Sequence, residues 1–169
     1  MQTINWNKGW QFSRLEQPDQ TVRVDLPHDA MLAEPRHAGC PSGVNACWYE
    51  GHDYSYTKTF TAPGSWLEQD VFWEFEGVYH NAEVWLNGVQ IAAWRYGYTR
   101  FFAPAGSALR AGENELQVIA RNADQPNSRW YSGAGLYRPV WLHVAPRHHL
   151  KMDGIRIRTI SLEPAVVEV

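Results

Sequence analysis

The sequence of 169 residues lacks several features that mark particular classes of protein. It holds only two cysteines, Cys40 and Cys47, which are too few for a disulfide framework, so two free thiols are expected. It has no block of like charges, and its net charge of −3 argues against a nucleic-acid surface, which is usually basic. No run approaches the ~20 apolar residues that a membrane span needs. Neither a nucleic acid nor a membrane is therefore an expected partner.

The sequence also lacks targeting and metal-binding signals. Its first residues, MQTINW, show neither a basic start nor an apolar stretch, so no signal peptide is visible and a cytoplasmic location is expected. The histidines do not follow the spacing of metal ligands. No metal and no other cofactor is therefore expected.

Aromatic residues, in contrast, are abundant, with nine Trp, eight Tyr and six Phe. Their rings present large apolar faces, and Tyr and Trp add a polar group. Such rings suit sugars, which combine apolar C–H faces with hydroxyl groups. For any single ring, a place in an aromatic core is the simpler interpretation.

Alternation of apolar and polar residues runs through the sequence and predicts β-strands with one buried face. The alternating segments are residues 22–26, 54–60, 71–76, 116–121 and 140–144. Asn87-Gly88 suits a two-residue type I′ turn and predicts a hairpin between residues 82–86 and 89–92. No stretch keeps a helical period, so we expect an all-β, antiparallel sandwich.

Two long stretches, residues 27–53 and 122–135, have no periodicity and are rich in Trp, Tyr, Asn and Gly. Loops of this length are usually functional or disordered, and this composition favours ordered, functional loops. After a polar break at residues 145–149, a new apolar pattern begins. We expect one domain over residues 1–145, followed by a linker and the first strands of a second domain over residues 146–169.

Six segments, in this order, resemble those of the family 2 glycoside hydrolases that include β-galactosidases and β-glucuronidases. They are DLPHD (25–29), YTKTF (56–60), FEGVYHNAEVWLNG (75–88), GYTRF (97–101), GEN (112–114) and QPNSRWYSGAGLYRPVWL (125–142). Together they cover roughly residues 5–145. The resemblance implies a jelly-roll, galactose-binding-domain-like sandwich that precedes an immunoglobulin-like domain and a catalytic (β/α)₈ barrel. It also implies that the second domain is cut short here and that the two catalytic glutamates lie beyond Val169.

Two pairs of residues have the composition of catalytic groups, but a simpler interpretation is favoured for each. Glu74 and Glu76 share a strand face at a distance that suits paired carboxylates, yet a solvated outer face explains them. His28-Asp29 lacks a nucleophile in a motif, so we expect a turn in which Asp29 caps backbone amides. No catalytic residue is therefore expected in this chain.

The loop from Asn127 to Gly133 is the favoured candidate for sugar binding. Amide and guanidinium groups can hydrogen-bond hydroxyls, and aromatic rings can stack on a sugar. Gly133 and Gly135 allow the backbone to turn sharply. The predicted substrate-binding residues are Asn127, Arg129, Trp130, Tyr131 and, from the other long loop, Trp48. A loop that only docks domains is the alternative. The resemblance implies that relatives carry a sugar-contacting Asp at the position of Arg129, so this contact differs here.

The resemblance thus implies a non-catalytic sugar-binding and scaffold module of a retaining family 2 glycosidase. A β-galactosidase is favoured as the parent enzyme, and this fragment alone is predicted to be inactive. The alternatives are the same module of a β-glucuronidase, or a free-standing carbohydrate-binding module. The expected partners are a β-linked sugar and the protein's own catalytic barrel, and a homo-oligomer is compatible with the sequence.

Overall fold

The computed structural model describes all 169 residues and consists mainly of strands. Twelve strands follow one another along the chain: β1 (Gln2–Asn5), β2 (Trp10–Arg14), β3 (Val22–Val24), β4 (Asp53–Ala62), β5 (Gln69–Phe75), β6 (Ala82–Leu86), β7 (Val89–Trp94), β8 (Phe101–Pro104), β9 (Gly112–Arg121), β10 (Val140–Pro146), β11 (Arg158–Leu162) and β12 (Ala165–Glu168). The helices are short 3-10 turns at Ala30–Ala33, Gly43–Ala46, Gly64–Glu68 and Gly106–Ala108. None of these helices has the length and apolar character to cross a membrane.

Two antiparallel sheets form the body of the protein. One has the order β1-β10-β5-β8, and the other has the order β3-β2-β4-β9-β6-β7. Along β6 the side chains alternate between buried and half-buried, as expected for a strand that covers a core with one face. The predicted all-β antiparallel sandwich is confirmed.

Aromatic rings fill much of the space between the two sheets. Trp10, Tyr54 and Tyr56 of the six-stranded sheet, and Trp73 and Phe75 of the four-stranded sheet, are fully buried. Edge-to-face and stacked pairs of this kind stabilise a core beyond the area that they bury. Part of the aromatic excess of the sequence therefore belongs to the core and not to a ligand site.

The predicted hairpin is present and is anchored by side chains. Asn87 and Gly88 have φ angles of 52° and 78°, as a type I′ turn requires. The side-chain amide of Asn87 donates to the carbonyl of Ala108 at 2.8 Å and to Oδ1 of the buried Asn114 at 2.7 Å. The hairpin end is therefore fixed to the turn that precedes β9.

The outer face of the four-stranded sheet differs from the sequence expectation. Glu74 is buried and not solvated: its carboxylate lies 2.9 Å from Nε2 of His143 and accepts from Arg100 at 3.2 Å. Glu76 accepts from the indole N–H of Trp141 at 2.7 Å. The expectation of a solvated carboxylate was wrong for Glu74, because neighbouring segments supply donors that satisfy this buried group, whereas Glu76 is half-buried.

Two segments at the margins of the sheets are exposed. β3 is an edge strand, and its Val22 is 54% exposed. Val24 packs against the core and Leu26 is buried in it, so the predicted alternation holds from residue 24 onward. β11 and β12 pair only with each other. The residues just before this hairpin are linked to the sandwich through Asp153, whose carboxylate accepts from Arg100 at 2.5 Å.

Candidate functional site

The two long loops meet at the carboxylate of Asp29. Oδ1 accepts from the backbone N–H groups of Met31 at 3.1 Å and Ala134 at 3.0 Å. Oδ2 accepts from the hydroxyl of Tyr131 at 2.6 Å. Burial, followed by the bond to Asp29, raises the pKa of Tyr131, which therefore stays protonated as a donor. Asp29 caps backbone amides as predicted, and it also joins loops about 100 residues apart in sequence.

His28, beside Asp29, has a structural environment. Its Nδ1 lies 2.8 Å from the hydroxyl of Tyr56, and its ring packs edge-on against Phe12 at 4.6 Å between centroids. Burial lowers the pKa of His28, because the charged imidazolium loses its hydration. The side chain is held among aromatic rings and is not presented to a cleft.

Two glycines set the path of the loop that follows Tyr131. Gly133 and Gly135 have φ angles of 70° and 83°. A β-carbon at Gly133 would lie 2.8 Å from Oδ2 of Asp29, and one at Gly135 would clash with the hydroxyl of Tyr56. Both the backbone conformation and the close approach therefore require glycine.

The first long loop packs against the second. The hydroxyl of Ser42 donates to the side chain of Gln125 at 2.7 Å. The rings of Tyr49 and Tyr131 lie 5.7 Å apart between centroids. These contacts hold Asn45 of the first loop at the edge of a cavity that the second loop borders.

This cavity, called the cleft below, has a volume of about 820 Å³. Four segments contribute to it: the two long loops, the segment after β5 and the segment after β7. The lining residues are Asn45, Tyr79, His80, Asn81, Arg95, Tyr96, Gly97, Tyr98, Pro126, Asn127, Ser128, Arg129 and Trp130. Its size suits a ligand of one to a few sugar units.

Four aromatic residues line the cleft. Trp130 is 61% exposed, and its indole N–H donates to the hydroxyl of Tyr98 at 2.9 Å. The ring of Tyr98 in turn lies 5.4 Å from that of Tyr79 and 5.6 Å from that of Tyr96. The hydrogen bond holds the exposed indole in place, so that its face is available to a ligand without further ordering.

Some polar groups of the cleft have hydrogen-bond partners within the chain, and others have none. The side-chain amide of Asn127 donates to Asn122 at 2.9 Å and accepts from the hydroxyl of Tyr79 at 3.4 Å, so it holds the loop together. Arg95 and Arg129 are exposed, and neither guanidinium has a hydrogen-bond or ion-pair partner within the chain. Free donors beside exposed rings are the combination that a saccharide needs.

The structure brings together three of the five predicted sugar-binding residues. Asn127, Arg129 and Trp130 line the cleft. Tyr131 lies outside the lining and supports the loop through Asp29, and Trp48 lies outside it with 39% of its surface exposed. Sugar binding by these five residues stays a prediction.

Sequence reasoning missed the contribution of the segment after β7. Arg95, Tyr96 and Tyr98 line the cleft, although only Tyr98 falls within a segment that was recognised by resemblance. The run WRYGY at residues 94–98 holds three aromatic residues and an arginine, and this composition was the available signal. Nothing in the sequence placed it next to residues 126–130.

A family model for the galactose-binding-like domain of glycosyl hydrolase family 2 matches residues 8–154. The chain belongs to glycosyl hydrolase family 2. Among the curated relatives, a β-galactosidase from Bacteroides ovatus is 37% identical and a β-glucuronidase from Bacteroides fragilis is 32% identical. These matches cover 94% and 83% of this chain, but only 20% of either relative. This family 2 chain therefore spans about one fifth of the length of those relatives.

Solved structures also match this chain to one part of larger glycosidases. A β-glycosidase from Bacteroides vulgatus superposes with a TM-score of 0.84 at 31% identity, over 94% of this chain and 22% of that one. A glycosyl hydrolase family 2 member from Bacteroides cellulosilyticus superposes with a TM-score of 0.85 at 26% identity, over 95% of this chain and 23% of that one. The family 2 chain thus has the fold of one domain of these larger enzymes.

Proposed function

We propose that this chain is the sugar-binding, non-catalytic module of a larger retaining β-glycosidase, and that its cleft forms part of the rim of the substrate site. The observation that carries the proposal is the cleft itself, which is lined by both the indole of Trp130, held by Tyr98, and the unpaired guanidinium of Arg129. An aromatic face can stack on the apolar C–H face of a pyranose ring, and hydrogen-bond donors beside it can bind the hydroxyl groups. The names of the relatives, which are β-galactosidases and β-glucuronidases, support a β-linked glycoside as the ligand.

Catalysis in this proposal belongs to another part of the parent protein. A retaining glycosidase needs two carboxyl groups roughly 5–5.5 Å apart, one as acid/base and one as nucleophile. The cleft is lined by no carboxylate. Glu74 and Glu76, the neighbouring pair on β5, are held by His143 and Trp141. The chain therefore binds and positions the sugar, and it leaves bond cleavage to the catalytic barrel of the parent enzyme.

Residues 146–169 are also consistent with a chain that is one part of a larger enzyme. Residues 146–169 are proposed to open a second domain, because β11 and β12 pair only with each other and their apolar side chains are exposed. Leu162 is 81% exposed and Val169 is 85% exposed. Apolar strands of this kind are expected to be covered by further strands of the parent protein.

The test is made on the parent enzyme with the substitutions Arg129→Ala and Trp130→Ala. Arg129→Ala is expected to lower kcat/KM roughly ten- to hundredfold, because a hydrogen bond to a charged group stabilises by ~1.5–3 kcal/mol and each 1.36 kcal/mol is tenfold in rate. Trp130→Ala removes stacking area and is expected to raise KM at least as much as it lowers kcat. Trp85→Ala is the matched control, since Trp85 is a half-buried tryptophan outside the cleft. Its kcat/KM should stay at the wild-type value.

The competing interpretation, a loop that only docks domains, predicts another pattern. The melting temperature or the assembly of the enzyme would then change, while the kinetics per folded molecule would not. Wild-type kcat/KM in both Arg129→Ala and Trp130→Ala, with normal folding, would remove the cleft from the substrate site. Sugar binding by the isolated chain alone, without any effect on the parent's kinetics, would indicate a free-standing binding module.

A further inference from the structure

We propose that the cleft selects an acidic saccharide, whose carboxylate or sulfate group is bound by Arg95 and Arg129. This inference rests on the proposed function and specifies its substrate class. The relevant observation is the charge of the lining, which contains two arginines and no aspartate or glutamate. Burial lowers the pKa of the half-buried His80, so the positive charge of the lining comes from the two arginines.

Three other arginines of the protein are neutralised by acidic partners, whereas the two in the cleft are not. Arg14 pairs with Glu34, Arg100 with Glu74 and Asp153, and Arg121 with Glu83 and Asp53. Arg95 and Arg129 make no such pair. Asp124 is close enough to influence His80 but does not line the cleft. The cleft therefore has an unneutralised positive potential that an anionic ligand would satisfy.

The two arginines also occur beside the exposed rings of the cleft. Arg95 is followed directly by Tyr96, which is 60% exposed, and Arg129 by Trp130, which is 61% exposed. The first pair follows β7 and the second lies in the loop after β9, so they come from separate parts of the fold. A guanidinium binds a carboxylate or sulfate through two parallel N–H donors, whereas a neutral hydroxyl uses only one. A ring that stacks on the sugar and a guanidinium that binds its acid group can thus act together.

The experiment measures binding of small saccharides to the 169-residue chain by NMR, with the indole N–H signals of the tryptophans as the readout. Methyl β-D-glucuronide and methyl β-D-glucoside form one pair, which differs only in a carboxylate against a hydroxymethyl group. Galactose 6-sulfate and galactose form the second pair, which introduces a sulfate ester. The variants are Arg95→Gln, Arg129→Gln and the double variant. Arg110→Gln is the control, because Arg110 is exposed and lies outside the cleft.

The acidic member of at least one pair is expected to bind about tenfold more tightly than its neutral partner, a difference of about 1.4 kcal/mol. The preference should weaken at 0.5 M salt, fall in each single variant and disappear in the double variant, while Arg110→Gln keeps it. A preference for the glucuronide would identify a uronic acid as the ligand, and a preference for the sulfate would identify a sulfated sugar.

Two results would overturn the proposal, and they differ in their consequence. Equal binding of charged and neutral sugars, or a preference that survives in the double variant, would refute selection of acidic saccharides and leave the sugar-binding function intact. Failure of all four saccharides to bind the wild-type chain would refute the inference, whereas the proposed function is decided separately by the kinetics of Arg129→Ala and Trp130→Ala in the parent enzyme.

Discussion

The imidazole of His143 donates from Nε2 to the carboxylate of Glu74 at 2.9 Å, beneath the outer face of the four-stranded sheet. A carboxylate can only accept, so Nε2 carries a proton, and Nδ1 of the same ring lies 3.1 Å from the hydroxyl of Thr3. The bonds tie β1, β10 and β5 together through side chains. The other carboxylate oxygen of Glu74 accepts from Arg100, which also binds Asp153 in the segment between β10 and β11.

Glu74→Ala should therefore destabilise the sandwich. It leaves the buried imidazole of His143 without its acceptor, and an unsatisfied buried donor costs roughly 1–3 kcal/mol. Urea denaturation followed by tryptophan fluorescence measures the free energy of unfolding. Glu113→Ala, at an exposed glutamate without a partner, is the control and should unfold like the wild type. Equal stability of the two variants would show that the buried bond contributes nothing.

Tyr131→Phe should loosen the loop that borders the cleft. The substitution removes only the hydroxyl that donates to Asp29 at 2.6 Å, and a hydrogen bond to a charged group contributes roughly 1.5–3 kcal/mol. Hydrogen exchange of residues 129–135 is expected to become faster, with a lower free energy of unfolding. Tyr96→Phe, at an exposed tyrosine whose hydroxyl has no partner, is the control. Unchanged protection of the loop in Tyr131→Phe would contradict the role assigned to this bond.

The stability of the protein should decrease as the pH falls below about 6.5, the usual pKa of histidine. Burial lowers the folded-state pKa of both His28 and His80, so the unfolded chain binds more protons in this range. The stabilising contribution is thus complete above the unfolded pKa and is lost as the pH falls through the lower folded pKa. His28→Gln should make the free energy of unfolding less dependent on pH between 7.5 and 5.5. His148→Gln, at an exposed histidine, should keep the wild-type dependence.

Removal of the β11–β12 hairpin should leave the sandwich almost unchanged. A chain that ends at Gly154 keeps the contact between Asp153 and Arg100, and its melting temperature should differ from that of the full chain by less than about 2 °C, equivalent to under ~1 kcal/mol. A chain that ends at Met152 loses this contact and allows the two effects to be separated. A large drop on ending at Gly154 would show that the hairpin belongs to the first domain.

The isolated chain is expected not to hydrolyse nitrophenyl β-D-galactoside or nitrophenyl β-D-glucuronide. A binding cleft without paired carboxylates lacks the acid/base and nucleophile pair that a retaining glycosidase uses. Release of nitrophenol by the purified chain is the measurement. Turnover that disappears in Glu74→Gln or Glu76→Gln would contradict the assignment of these residues to structural roles.

The sequence alone was sufficient for features that depend on local chemistry. Asn87 and Gly88 adopt positive φ angles readily, so a type I′ hairpin could be predicted from two residues. Alternation with period two predicted the strands of the sandwich, because one face of each strand must be buried. Six motifs in the family's order, spread over most of the chain, predicted the family that the comparison then showed.

Features that depend on contacts between distant segments were decided by the tertiary structure. Glu74 looked like a solvated carboxylate until the pairing of β10 with β5 placed His143 beside it. Arg95 and Arg129 share one cleft because the sheet order brings the ends of β7 and β9 to neighbouring positions across β6. A local pattern contains information on which face a residue takes, but not on which strand lies beside it. Only the order and register of the sheets determine which groups 30 or 100 residues apart in the chain become neighbours.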